Sequence, residues 1–170
     1  MKKNISHEIN KNRKSGVVIE EIMDFNGQEK KFYDLLNENN IKHNKTPMVF
    51  QKDFLNRLKK NCGEDLVIYR SLKHGQLSGV GILLKNKKTG SVAFSGINRQ
   101  LAQNDATFFN MLFYGPITDA IAKNIQRLYY GNAMYDMKIR RGCKVEKTFF
   151  FHKPRHLFFR PATNLWFYFH

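Results

Sequence analysis

Cysteine is scarce: the 170-residue chain has two, Cys62 and Cys143, too far apart for the paired spacing of a zinc site. They read as structural thiols. Long apolar runs are missing as well. Runs such as 149–151 and 165–169 fall far short of the roughly 18 to 20 residues that a bilayer-spanning helix needs, which excludes a transmembrane helix. The opening MKKNISHEIN has no apolar stretch behind its basic residues and does not read as a secretory signal. A cytoplasmic protein is expected, a setting that disfavours a disulfide. Acidic residues are few: 14 Asp plus Glu stand against 29 Lys plus Arg, a formal charge of +15. That balance favours partners carrying phosphate or carboxylate groups.

What is present is enough for one core, since 42% of the residues are hydrophobic and a chain of this length ordinarily forms one domain. The charge is uneven. Residues 1–60 hold 13 basic and 8 acidic side chains, residues 61–137 hold 8 and 5, and residues 138–170 hold 8 and 1. The last segment also carries nine aromatic residues, Phe158, Phe159, Trp166 and Tyr168 among them. Such a mixture stacks on bases while pairing phosphates, lies on an anionic membrane surface, or folds back onto a core.

Three regions are expected: a flexible basic leader over 1–15, too poor in apolar residues to offset its own ordering; a folded domain over 16–153; and a basic aromatic tail over 154–170. Val17, Val18, Ile19 and Ile22 predict a strand. QEKKFYDLLNEN then puts Phe32, Leu35 and Leu36 on one helical stripe. Thr46 and Pro47 predict the start of a second helix carrying Phe54, Leu55 and Leu58. Strands follow at 65–72, 79–85 and 91–97, with Gly75 and Gly90 expected at tight reversals. A helical pattern from about Thr107 is interrupted at Gly115 and Pro116, which predicts a kink or restart. LYYGN predicts a short strand, YDMKIRRG a short helix ending at Gly142, and CKVEKTFFFH a last strand.

This order and the stretches VFQKDFLNRLKKN, LSGVGILLKNKKTGSVAFSGINR, ITDAIAKNIQRLYYG and YYGNAMYDMKIRRGCKVEKTFFF resemble the GNAT acyltransferase superfamily, and within it the C-terminal GNAT half of the FemAB-like and CelD-like branch. The resemblance covers about residues 16–153. It implies an α+β fold with a mixed, mostly antiparallel central sheet flanked by helices. It also implies transfer of an acyl group from acyl-CoA or aminoacyl-tRNA to an amine, with no metal. The sequence departs from the family in one motif: a Gln or Arg followed two residues later by Gly-x-Gly or Gly-x-Ala is absent, and INRQLAQND stands there. Branch members commonly have two GNAT-like halves, so one half suffices here, two chains pair as a homodimer, or the product is truncated.

By resemblance the donor site is the loop after the 91–97 strand, where helix-entering N–H groups cradle a pyrophosphate. Asn98 and Arg99 begin it, and Arg99 is either a phosphate ligand or an exposed loop cation. Gly131 either lets donor backbone approach closely or only caps a helix; Asn132 offers an amide to donor or acceptor. Tyr135 is the candidate general acid for the leaving group, or packs at a helix start. Asp136 is the candidate acceptor of the amine proton, or serves helix electrostatics. Lys138 matches the family's Lys and is the first choice for an anionic substrate group, with Arg141 second; a solvated basic helix is the alternative. His152 and His156 have a metal-sharing spacing for a helix, but Pro154 between them and a strand-like run before them leave no metal site expected. The contrasting functional reading is a non-catalytic nucleic-acid-binding module that uses the basic aromatic C-terminal segment. Contact of that segment with a membrane surface is a third.

Overall fold

The computed structural model describes residues 2–132 and 134–149. Contacts divide the chain into two compact units between Met134 and Tyr135. The first unit is built on one five-stranded sheet in the order β1-β2-β3-β4-β5. Its strands are β1 (Val17–Ile22), β2 (Leu66–Lys73), β3 (Gln76–Asn86), β4 (Thr89–Ile97) and β5 (Arg127–Tyr129). The first three pairings are antiparallel and the β4–β5 pairing is parallel. This is the mixed, mostly antiparallel α+β architecture that the resemblance implies.

Alternation decides the faces. Ile22, Ile68, Ile82 and Phe94 lie in register across β1 to β4, and against them pack α2 (Glu29–Asn44) and α3 (Phe54–Cys62). The apolar stripe of α2 buries Phe32, Leu35 and Leu36. Phe50, Phe54 and Phe94 form a ring cluster beside it. A Cβ at Gly96 of β4 would stand 2.6 Å from the Leu35 backbone, so only glycine lets α2 come this close to the strand.

The opposite face carries Val67, Tyr69 and Leu83, all buried, beneath Met111, Leu112 and Phe113. These last three belong to a helical run made of α4 (Thr107–Phe109), a π-turn (Asn110–Tyr114) and α5 (Gly115–Ala122). The expected kink at Gly115 and Pro116 takes the form of that π-turn. Pro116 has no N–H to give and its ring crowds the carbonyl four residues back. An extra residue in the preceding turn, with the Gly115 N–H bonded to the Asn110 carbonyl, relieves the clash.

Several expectations need correction. Most of the expected leader forms a helix, α1 (Lys2–Lys14), held by polar contacts rather than by the apolar burial that composition measures. The Asn12 side chain, 5% exposed, donates to the Asp105 carbonyl and to Thr107 Oγ1. The Asn110 amide donates to the Glu8 carbonyl. The second helix starts at Phe54, after an irregular stretch, and not at Pro47. The β2–β3 reversal does use His74 and Gly75, both at positive φ, as a two-residue hairpin favours. The β3–β4 reversal instead uses Lys87 and Lys88, and Gly90 lies within β4, paired with Lys85 and Leu128.

The second unit contains α6 (Tyr135–Ile139), followed by a turn in which the Gly142 N–H bonds the Ile139 carbonyl. Residues 143–149 form no strand, against expectation. The remainder of the expected strand, His152, His156 and the tail lie outside the described residues.

Candidate functional site

The β4–β5 pairing is brief. Thr89, Gly90 and Ser91 pair with Arg127, Leu128 and Tyr129, and there β5 ends while β4 runs on to Ile97. Beyond Tyr129 the chain turns off the sheet. The Tyr130 ring stacks on Phe113 at 4.6 Å and 7°, and Gly131 follows at φ +67° with nothing within 4 Å of a Cβ placed there. Two parallel strands thus part, and among the described residues no strand joins the far half of β4 on the β5 side. A strand edge of this kind offers N–H and C=O groups to an extended amide-bearing ligand.

The far half of β4 is held from the α2 side. Asn39 of α2 donates to the Ser95 carbonyl at 3.0 Å, just beyond the close Leu35–Gly96 approach. Asn98 ends the strand: its N–H bonds the Ser78 carbonyl at 2.9 Å, and its Oδ1 accepts the N–H groups of Gln100 and Leu101 at 3.1 and 3.2 Å. This asparagine shapes the loop. Arg99 is exposed, and its guanidinium donates to His43 Nε2 of α2 at 3.1 Å, so the imidazole there is the acceptor. Both Asn98 and Arg99 therefore stand at the open end of β4, and Gly131 and Asn132 stand where β5 leaves it.

The loop then enters the 107–122 helical run, the expected pyrophosphate cradle. Its mouth is filled by the protein itself. Asp105, 1% exposed, accepts the Thr107 N–H on Oδ1 at 3.0 Å and pairs with Lys73 Nζ through Oδ2 at 3.0 Å. Lys73 also donates to the Leu101 carbonyl at 2.8 Å. From α1, Asn12 covers the same turn, and Lys11 donates to Asn104 Oδ1 at 2.7 Å. Sequence reasoning missed Lys73, Asp105 and Asn12, because residues this far apart leave no periodic or spacing signal; Asp105 two residues before Thr107 was the one local hint, as a helix cap.

A separate groove of about 420 Å³ lies on the face away from α2, lined among others by Ile9, Asn12, Arg13, Tyr69 and Asp119. Tyr69 donates to Asp119 Oδ2 at 2.5 Å. Burial, that hydrogen bond and the nearby carboxylates push the Tyr69 phenol well above its ordinary pKa, so it stays a donor. Lys123 pairs with Glu21 beside it.

The fold is that of the GNAT acetyltransferases. An aminoglycoside acetyltransferase from an uncultured soil metagenomic sample, solved with sisomicin, superposes with a TM-score of 0.58 at 12% identity, covering 84% of this chain and 99% of that one. A possible acetyltransferase from Clostridium difficile 630 gives 0.62 at 7% identity, with 82% and 99% covered. The aminoglycoside N-acetyltransferase AAC(6')-Iy in complex with CoA gives 0.56 at 8% identity, with 82% and 95% covered. No family model matches the sequence and no curated protein matches it. The likeness is one of fold.

Tyr135, Asp136, Lys138 and Arg141 all belong to the second unit. Tyr135 and Asp136 form the exposed first turn of α6. Arg141 donates to the Met137 carbonyl at 3.2 Å. Partial burial holds the Lys138 ammonium below its ordinary pKa, with the charge of the Cys143 thiolate pulling the other way. Burial pushes the Cys143 thiol up, opposed by Lys138 and Arg141. Both cysteines are free thiols. Among the described residues no group of three His, Cys, Asp or Glu side chains is placed to hold a metal ion, and no helix is long and apolar enough to cross a membrane.

Proposed function

We propose that the protein is an N-acyltransferase of GNAT type whose donor lies along the far half of β4. The observation that carries this is the parting of β4 and β5 after residues 91 and 129. An extended amide-bearing donor arm set against β4 completes the sheet there and brings its carbonyl carbon to the gap. The acceptor amine attacks that carbon through its lone pair. The C–N bond forms and the C–S or C–O bond to the donor breaks. The departing thiolate or alkoxide gains a proton, and the nitrogen loses one. Nothing covalent forms on the protein, so catalysis is largely placement.

The donor is an acyl-CoA or, on the FemAB-like resemblance, an aminoacyl-tRNA; the +15 charge suits either. Arg99 beside His43, with Asn98, Gly131 and Asn132, is proposed to contact the donor. Tyr135 as acid, Asp136 as base, and Lys138 with Arg141 as anion binders are proposed on side-chain chemistry alone. Incubation with acyl-CoA and aminoacyl-tRNA donors and a panel of amines, read by thiol or tRNA release and product mass, tests the reading. Transfer from any of these donors supports it, and no transfer from all of them removes it.

A nucleic-acid-binding module is the second reading, favoured by the 8 basic residues against 1 acidic in 138–170. Truncation after Lys153 with an unchanged salt slope for RNA binding would exclude the tail as its surface.

A further inference from the structure

We infer that Asp105 sets the class of donor: it holds a fixed carboxylate at the start of the 107–122 helical run and so closes that helix to a donor's pyrophosphate. The donor is then recognised through the arm next to its acyl group. This rests on the far half of β4 as the donor seat.

A helix start binds a phosphate because its first N–H groups lack partners and its dipole favours an anion. Here the anion is built in. Asp105 takes the Thr107 N–H, and the nearby cation that would help hold a phosphate, Lys73, is already paired with Asp105 and hydrogen-bonded to Leu101. A second anion in the same place would meet a like charge at close range. Access is blocked too: Asp105 and Thr107 are each 1% exposed, and Asn12 bonds to both across the top of the turn. Backbone approach is limited further, because the residue between them is Ala106, at φ +61°, where a phosphate-cradling loop uses glycine. Four side chains from three separated segments thus converge to do what a bound pyrophosphate does in such a loop.

The test is titration of the full-length protein with CoA and with inorganic pyrophosphate, followed through backbone amide resonances. The wild type is expected to show no saturable shift at Ala106, Thr107 or Phe108. Asp105→Ala frees Lys73 and the Thr107 N–H together and is expected to gain at least about tenfold in affinity for both ligands, with shifts at those amides. Should Asp105→Ala not fold, Asp105→Asn keeps an oxygen for the Thr107 N–H while removing the charge, and a smaller gain is expected. A saturable wild-type shift at those amides, or a folded variant with no gain, overturns the inference.

A kinetic comparison separates this from the acyl-transfer reading itself. S-acetyl-N-acetylcysteamine carries the acyl arm of acetyl-CoA without its pyrophosphate. If thioesters are donors, the ratio of kcat/KM for acetyl-CoA over this short thioester is expected to stay within about threefold, whereas an enzyme that reads the pyrophosphate loses about a hundredfold or more on truncation. Absence of turnover with every donor removes the acyl-transfer reading, and the amide titration still decides the role of Asp105.

Discussion

The two faces of the sheet are held by different physics. On the α2–α3 face, Phe25, Phe32, Leu36, Leu55, Ile68 and Ile82 are all nearly inaccessible and pack as one apolar cluster. On the other face Met111, Leu112 and Phe113 supply the apolar contact, and polar pairs hold the surroundings: Ser71 with Ser78, Tyr69 with Asp119, Lys73 with Asp105, Asn12 with Thr107. The apolar face fixes that the chain folds. The polar face fixes where one loop and one helix start are placed, which is what a donor site needs.

The largest test of this contrast is in the apolar face. Phe32→Ala should cost about 3–5 kcal/mol of stability, measured by urea unfolding. A cost near 1 kcal/mol would mean that this face is not the main source of stability. Next come two glycines of β4. Gly96→Ala sets a Cβ against the α2 backbone and should cost about 3 kcal/mol, while at Gly90 the nearest obstacle is the movable Leu128 side chain at 2.8 Å and Gly90→Ala should cost under about 1 kcal/mol. Equal costs would show that α2 yields at the far half of β4.

The polar face gives a pH signature. The Tyr69 phenol is raised in the folded state by burial and by Asp119, so its contribution is fully present below roughly pH 10, the unfolded value. Above that, the unfolded chain loses the proton first, and stability should fall by up to about 1.4 kcal/mol per pH unit. Tyr69→Phe should flatten this component of the slope between pH 10 and 11; an unchanged slope removes the contribution. The smallest effect belongs to α1. Asn12→Ala should cost about 1 kcal/mol and speed amide exchange in residues 2–14 while β2 and β3 stay protected. Uniform acceleration would instead make α1 part of the global core.

The same contrast decides what could be read in the sequence. Apolar alternation marked β1, β2, β3 and β4, and the stripe of α2 was legible from Phe32, Leu35 and Leu36, because burial imposes a period. The loop after Ile97 was singled out by the family resemblance and not by any period in its residues. The helix α1 was not legible, since its partners lie 93 to 106 positions away and polar pairing imposes no period. For the same reason Asp105 passed as one polar residue in NRQLAQND, although its partner Lys73 makes it the anion at a helix start. The four candidates between 135 and 141 were legible only as residue types.

The most direct test of the central claim is an amide-resonance titration of the intact protein with S-acetyl-N-acetylcysteamine. Binding along the far half of β4 predicts saturable shifts at residues 92–97 and at Tyr130 to Asn132. Shifts confined to the groove around Ile9, Arg13 and Asp119 on the other face would contradict it, as would no shift at any concentration up to about 10 mM, where a ligand bound by even about 3 kcal/mol is detected.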